Sequence, residues 1–66
     1  MTVKVIELVG NSEESWEDAA QQAVADANET LEEITGIDVV SQTADVEDGS
    51  ITHYRTTLHV AFILQR

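Results

Sequence analysis

Asp48-Gly49 lies between two long β-prone runs, and it assigns the second half of the chain. A two-residue hairpin turn needs positive φ at its central positions, and Asp-Gly adopts that geometry at low cost. Strands are predicted over 37–46 and 51–64, joined by Glu47-Asp48-Gly49-Ser50. In the last strand Tyr54, Leu58, Val60, Phe62 and Leu64 share one face by period two, while His53, Arg55, Thr57, His59 and Ala61 share the other. The first face should pack on a helix. The second is polar.

A shorter strand is predicted over 2–9, with Val3, Val5 and Val9 on one face and Ile6 and Leu8 on the other. Apolar residues on both faces imply two covers, one the chain's own helix and one another chain. Gly10, Asn11 and Ser12 should break this strand. Asn11 or Ser12 can cap the helix that follows, with Glu14 three residues after Asn11 as a capping box asks. The helix is predicted over 13–33. Its apolar stripe is Trp16, Ala20, Ala23, Ala27, Leu31 and Ile34. Alanine fills the middle of the stripe, so the helix can lie close to the surface it covers. The fold class is α+β. One domain over 1–66 is expected, in the order β-α-β-β, with a three-stranded antiparallel sheet wrapped around one helix.

Such a protomer is short of core. A chain of 66 residues buries roughly 60% of the surface it exposes unfolded, and Trp16, Tyr54 and Phe62 are its only large aromatics. With no cysteine there is no disulfide and no thiolate metal site. Oligomerisation is the staple that remains. The opening MTVKVIELVG is too short for a secretion signal and carries Glu7, so a cytoplasmic location is expected. No apolar run approaches the ~20 residues that span a bilayer.

Thirteen acids face three bases, Lys4, Arg55 and Arg66, for a net charge of −10. Nucleic acid and anionic membrane are therefore poor partners, because neutralising phosphate needs a basic patch. Cations fit better. The excess of Asp and Glu also matches what keeps a protein soluble at multimolar salt. Eight of the thirteen acids fall on 13–33. There Glu13/Glu17, Glu14/Asp18 and Glu29/Glu33 would be like-charge pairs at i, i+4. Bulk counter-ions or bound divalent cations would offset them. Hard oxygen ligands without cysteine suit Ca²⁺ or Mg²⁺. A solvated acidic face is the plain alternative.

Catalytic chemistry is not evident. His53 and His59 lie six apart on one strand face, about 20 Å from each other, so they cannot share a metal within one chain. Gly10, Gly36 and Gly49 are isolated and build no phosphate loop. The chain reads as a binding protein and not an enzyme.

Two stretches, VKVIELVGNSEESWEDAAQQAVADANETL and DGSITHYRTTLHVAFIL, resemble the dodecins over nearly the whole chain. The most specific parts are a strand running into Gly-x-Ser-x-x-Ser ahead of an Ala-rich helix, and the closing Val-Ala-Phe strand. The resemblance implies a hollow homododecamer that buffers a ligand without catalysis. In the best-known members that ligand is a flavin such as riboflavin or FMN. In those members an aromatic residue at the start of the second strand stacks on the flavin, and the matching position here is Gly36. A Gln after the Tyr or Phe of the last strand bonds the flavin's polar edge. The matching position here is Arg55, with Asp38 as an acid that could stand between paired Arg55 side chains. Trp16 falls in the first helical turn, away from the stacking position. Ser15-Trp16-Glu17 and Tyr54-Arg55 look more like the calcium dodecins, which the resemblance implies bind Ca²⁺ and not flavin.

Three readings follow. The first is a cation-binding shell using Glu14, Glu17 and Asp18 at the helix start, with Asp45 on the second strand. The second is a flavin store with its pocket at Gly36, Asp38 and Arg55. The third is a structural shell, or a carrier of an anion held by Arg55.

Overall fold

A computed structural model describes residues 1–64. Arg66, counted above among the bases, lies outside the described residues. The elements are β1 (Val3–Ser12), α1 (Trp16–Asn28), β2 (Ile34–Glu47) and β3 (Ser50–Ile63). They form one antiparallel sheet in the order β1-β3-β2, with the helix on one face. The expected β-α-β-β architecture is present. The last strand in sequence is the central one in space. It pairs with β1 from Val3↔Ile63 to Ser12↔Tyr54 and with β2 from Ile34↔Phe62 to Glu47↔Ser50. The hairpin turn has positive φ at Asp48 (50°) and Gly49 (79°), as a primed turn requires.

The predicted break at Gly10 is not a break. β1 continues through Gly10, Asn11 and Ser12. Glycine stands at position 10 because α1 lies directly upon it: a Cβ there would sit 1.9 Å from the Ala19 carbonyl oxygen and 3.1 Å from the Ala23 Cβ. The helix cap moves accordingly. Neither Asn11 nor Ser12 is the N-cap; Ser15 is, in an extended conformation, with its Oγ accepting from the Asp18 N–H at 3.0 Å. The helix is 13 residues long, shorter than the predicted span. It ends where the Thr30 and Leu31 N–H groups both return to the Ala27 carbonyl. Glu33 then turns the chain with φ 52°. Because Glu13, Glu14, Glu29 and Glu33 all fall outside α1, none of the three like-charge pairs forms on the helix.

The buried helix stripe is Ala19, Ala23 and Ala27, so Ala19 takes the place predicted for Ala20. Leu31 and Ile34 lie beyond the helix, and Ile34 opens β2 and packs on the core. On β3, Leu58, Val60 and Phe62 are buried as predicted, together with Thr56, whereas Leu64 lies beyond the end of the strand and is 37% exposed. Ala23, Leu58 and Val60 form the core, flanked by Ile6, Leu8, Ala20 and Val24. Burial of the Leu58 and Val60 side chains contributes about 1.5–3 kcal/mol each. The alanines contribute less and act by letting the backbones approach.

α1 packs on β1 and β3. The helix-side residues of β2, Ile37 and Val39, therefore remain 44% and 50% exposed. On the opposite face Val3, Val5 and Val9 are 47–55% exposed. The molecule extends 51 × 19 × 12 Å with a radius of gyration of 13.5 Å, against roughly 11 Å for a compact domain of this length. Two apolar surfaces are thus left open on an elongated protomer. Among the described residues no helix is long and apolar enough to cross a membrane.

Candidate functional site

Two regions gather the predicted residues. The first is the cleft where β1 turns into α1. It has a volume of about 440 Å³ and is lined by Asn11, Glu13, Glu14, Asp18, Gln22 and His53, with Ser12 at its base. Ser12 is 5% exposed, and its hydroxyl organises the turn. It accepts from the Glu14 N–H at 2.9 Å and from the Ser15 N–H at 3.4 Å, and it donates to Asp18 Oδ2 at 2.6 Å. Gln22 Nε2 donates to the same oxygen at 2.8 Å. The Ser12 hydroxyl first, and then the Gln22 amide, hold the Asp18 carboxyl below the usual carboxylate range. Both bonds fall on Oδ2, so Oδ1 is the acceptor that remains. Of the predicted cation ligands, Glu14 and Asp18 share this cleft. Glu17 lies on the exposed side of the first helical turn and does not line it. Among the described residues no three His, Asp or Glu side chains of one chain come together to hold a metal ion.

Asp45 is elsewhere. On the sheet face away from α1, Arg55 Nη1 and Nη2 donate to Asp45 Oδ1 and Oδ2 at 2.8 and 2.5 Å. This fork-to-fork pair lowers the Asp45 carboxyl's pKa and raises the guanidinium's. The partner of Arg55 is thus Asp45, and Asp38 stands opposite His59 instead. Asp45→Asn tests the pair through pH. A depressed folded pKa adds stability that is present above the ordinary value, 3.8, and is lost as pH falls through the folded value. Wild type should therefore be the more stable at neutral pH, and the two melting curves should converge once pH has fallen below the depressed folded value. A gap that persisted in acid would assign the effect to packing.

The second region is a shallow pocket of about 330 Å³ on that same outer face. It is lined by Val5, Gly36, Ile37, Asp38, His59 and Ala61. Gly36 and Asp38 meet here; Arg55, four residues along β3, does not line it. A Cβ at Gly36 would meet nothing within 4 Å. Next to it His59 Nε2 lies 3.0 Å from Glu7 Oε1. Trp16 is far from this face in role as well as place. Its indole N–H donates to the Thr43 carbonyl at 2.8 Å, and its ring meets Tyr54 edge-on at 4.8 Å. The Thr56 hydroxyl bonds the Trp16 carbonyl at 2.8 Å, so Trp16 pins the helix start to the hairpin.

Sequence reasoning missed the Asp45–Arg55 and Glu7–His59 pairs, because cross-strand partners depend on a register that no local pattern sets. It missed the Ser12–Asp18–Gln22 network for a related reason. Gln22 lies four residues after Asp18, as helix neighbours do, but the bond from Ser12 needs the shape of the turn.

Residues 2–65 match the family model described as Dodecin. The chain belongs to the dodecin family. It is 37% identical over 59 residues to a calcium dodecin of Mycobacterium tuberculosis, covering 89% of this chain and 83% of the relative. A dodecin of Thermus thermophilus is 36% identical over 62 residues, covering 94% and 90%. The solved dodecin of Streptomyces coelicolor superposes with a TM-score of 0.95 at 31% identity, covering 98% of this dodecin and 93% of that chain. The solved M. tuberculosis protein, described as calcium-chelating with a calcium-binding site, gives a TM-score of 0.86 at 36% identity, covering 98% and 93%.

Proposed function

We propose that this dodecin is a non-enzymatic, cytoplasmic shell of twelve copies that holds divalent cations, Ca²⁺ or Mg²⁺, at the helix start. The observation that carries the reading is the Asp18 carboxylate, fixed by Ser12 and Gln22 beside Glu14 in an acid-lined cleft. The donor chemistry fits: oxygens only, with one carboxylate already oriented by its neighbours. Ca²⁺ takes six to eight oxygens, more than one chain brings together, so carbonyls, water or a neighbouring copy complete the set. Glu17 is the nearest further acid on α1, and Asp45 is left to Arg55. The calcium dodecin of M. tuberculosis supports the choice of ion. Assembly is supported by the two open apolar faces and the elongated protomer.

Calorimetry on chelator-treated protein tests the site. Ca²⁺ or Mg²⁺ should give saturable heat at physiological salt, and Asp18→Asn should weaken it at least tenfold. Heat that is absent, or unchanged in Asp18→Asn, would reduce the acids to a diffuse ion cloud.

The flavin reading is weaker in this chain, because position 36 offers no ring to stack and Arg55 has donors but no acceptor. It makes a converse prediction. Gly36→Trp combined with Arg55→Gln should create riboflavin quenching, with affinity raised at least about tenfold by stacking and burial. The open space at Gly36 admits the ring. Unchanged affinity would mean that the flavin-equivalent position lies elsewhere.

A further inference from the structure

Glu7 on β1 and His59 on β3 are direct cross-strand partners, and both stand on the sheet face away from α1. Directly opposed residues of an antiparallel pair have Cβ atoms about 4.5–5.5 Å apart. A glutamate and an imidazole at that spacing can close on one point. They do so here: His59 Nε2 and Glu7 Oε1 lie 3.0 Å apart. Both side chains stay open to solvent, His59 at 41% and Glu7 at 61%. Asp38 is the partner of His59 on the other neighbouring strand, β2. The two described bases do not compete for these carboxylates. Arg55 is held at both terminal nitrogens by Asp45. Lys4 pairs with Phe62 and so lies on the helix side of the sheet.

We infer that Glu7 and His59 form a metal site separate from the all-oxygen cleft at the helix start, and that it takes a borderline divalent ion such as Zn²⁺. The distance carries the argument. A zinc ion bonded tetrahedrally to an imidazole nitrogen and a carboxylate oxygen holds those two atoms about 3.4 Å apart. The pair at 3.0 Å therefore has to open by only ~0.4 Å to admit the ion. The donor set selects the metal. Imidazole suits zinc and its transition-metal neighbours, whereas Ca²⁺ and Mg²⁺ take oxygens. Among the described residues no three such side chains converge, so the protomer supplies two ligands. Asp38 can turn in as a third, and water fills the remaining position, as at open zinc sites. Both ligands sit on strands paired by the sheet itself, which positions them before the ion arrives. A bound ion would clip the edge strand β1 to the central strand β3. Ser12, Glu14 and Asp18 take no part, so this site and the cation cleft can fail independently.

Calorimetry on the chelator-treated, full-length protein tests the inference with Zn²⁺ added in excess Mg²⁺, which fills oxygen-only sites and the diffuse ion cloud of a chain of charge −10. Saturable Zn²⁺ heat is expected above that background. Glu7→Gln and His59→Gln replace solvent-facing side chains, and each should weaken Zn²⁺ at least tenfold. His53→Gln removes the other imidazole and Asp18→Asn removes an acid of the cleft, and both should leave Zn²⁺ affinity unchanged. Zn²⁺ heat that is absent, or undiminished in His59→Gln or Glu7→Gln, would overturn the assignment. So would a loss in His53→Gln or Asp18→Asn as large as in His59→Gln.

Discussion

Gly10→Ala should abolish the cooperative fold. The added methyl would sit 1.9 Å from the Ala19 carbonyl oxygen and 2.8 Å from its carbon. Both are backbone atoms of the first full turn of α1, so no side chain can swing aside. The helix must lift from β1, and that separates Ala19 and Ala23 from Leu58 and Val60. Overpacking of a close interface costs 1–3 kcal/mol or more, while a chain of this length has only about 3–10 kcal/mol in total. A fall in Tm of at least about 10 °C is expected, or no measurable transition. Gly36→Ala is the matched control. Its methyl meets nothing, and its Tm should stay within a few degrees of wild type. Equal melting of the two variants would show that the helix does not rest on Gly10 as described.

Val39→Glu should leave the protomer's own contacts nearly intact and prevent assembly. Val39 pairs with Leu58, so it lies on the helix side of the sheet, yet it is 50% exposed, because α1 packs mainly on β1 and β3 and reaches β2 through Trp16 at Thr43. In an isolated protomer a charge there stays hydrated. If the proposed shell covers this face, the charge would be buried in every copy, and an unpaired buried carboxylate costs several kcal/mol each time. Sedimentation should shift from the assembled particle to small species or to unfolded chain. An unchanged particle size would place β2's helix side in solvent and remove it from the contact surface.

How far the sequence can be read varies with the kind of signal. Asp48-Gly49 between alternating strands carries its own turn chemistry, so the hairpin and the buried Leu58, Val60 and Phe62 were legible from local pattern. The helix boundaries were not. Glu13, Glu14, Glu29 and Glu33 have good helix propensity but lie outside α1, where Ser15 caps one end and the positive φ of Glu33 redirects the chain beyond the other. Gly10 looked like punctuation. It is a packing residue, and only the helix above it reveals that. At the candidate sites, Glu14 and Asp18 were legible as acids near a helix start. The Ser12 hydroxyl that orients Asp18 and the Asp45 that occupies Arg55 depend on turn shape and on strand register.

The proposed assembly rests on three features of the protomer: a small core, two open apolar faces and an elongated shape. Analytical ultracentrifugation of the untagged wild-type chain, run in chelator and again with Ca²⁺, addresses this most directly. Twelve copies of a 7.2 kDa chain, about 86 kDa, are expected as a single sharp boundary. A folded species of 7.2 kDa that melts cooperatively in the same buffer would contradict it.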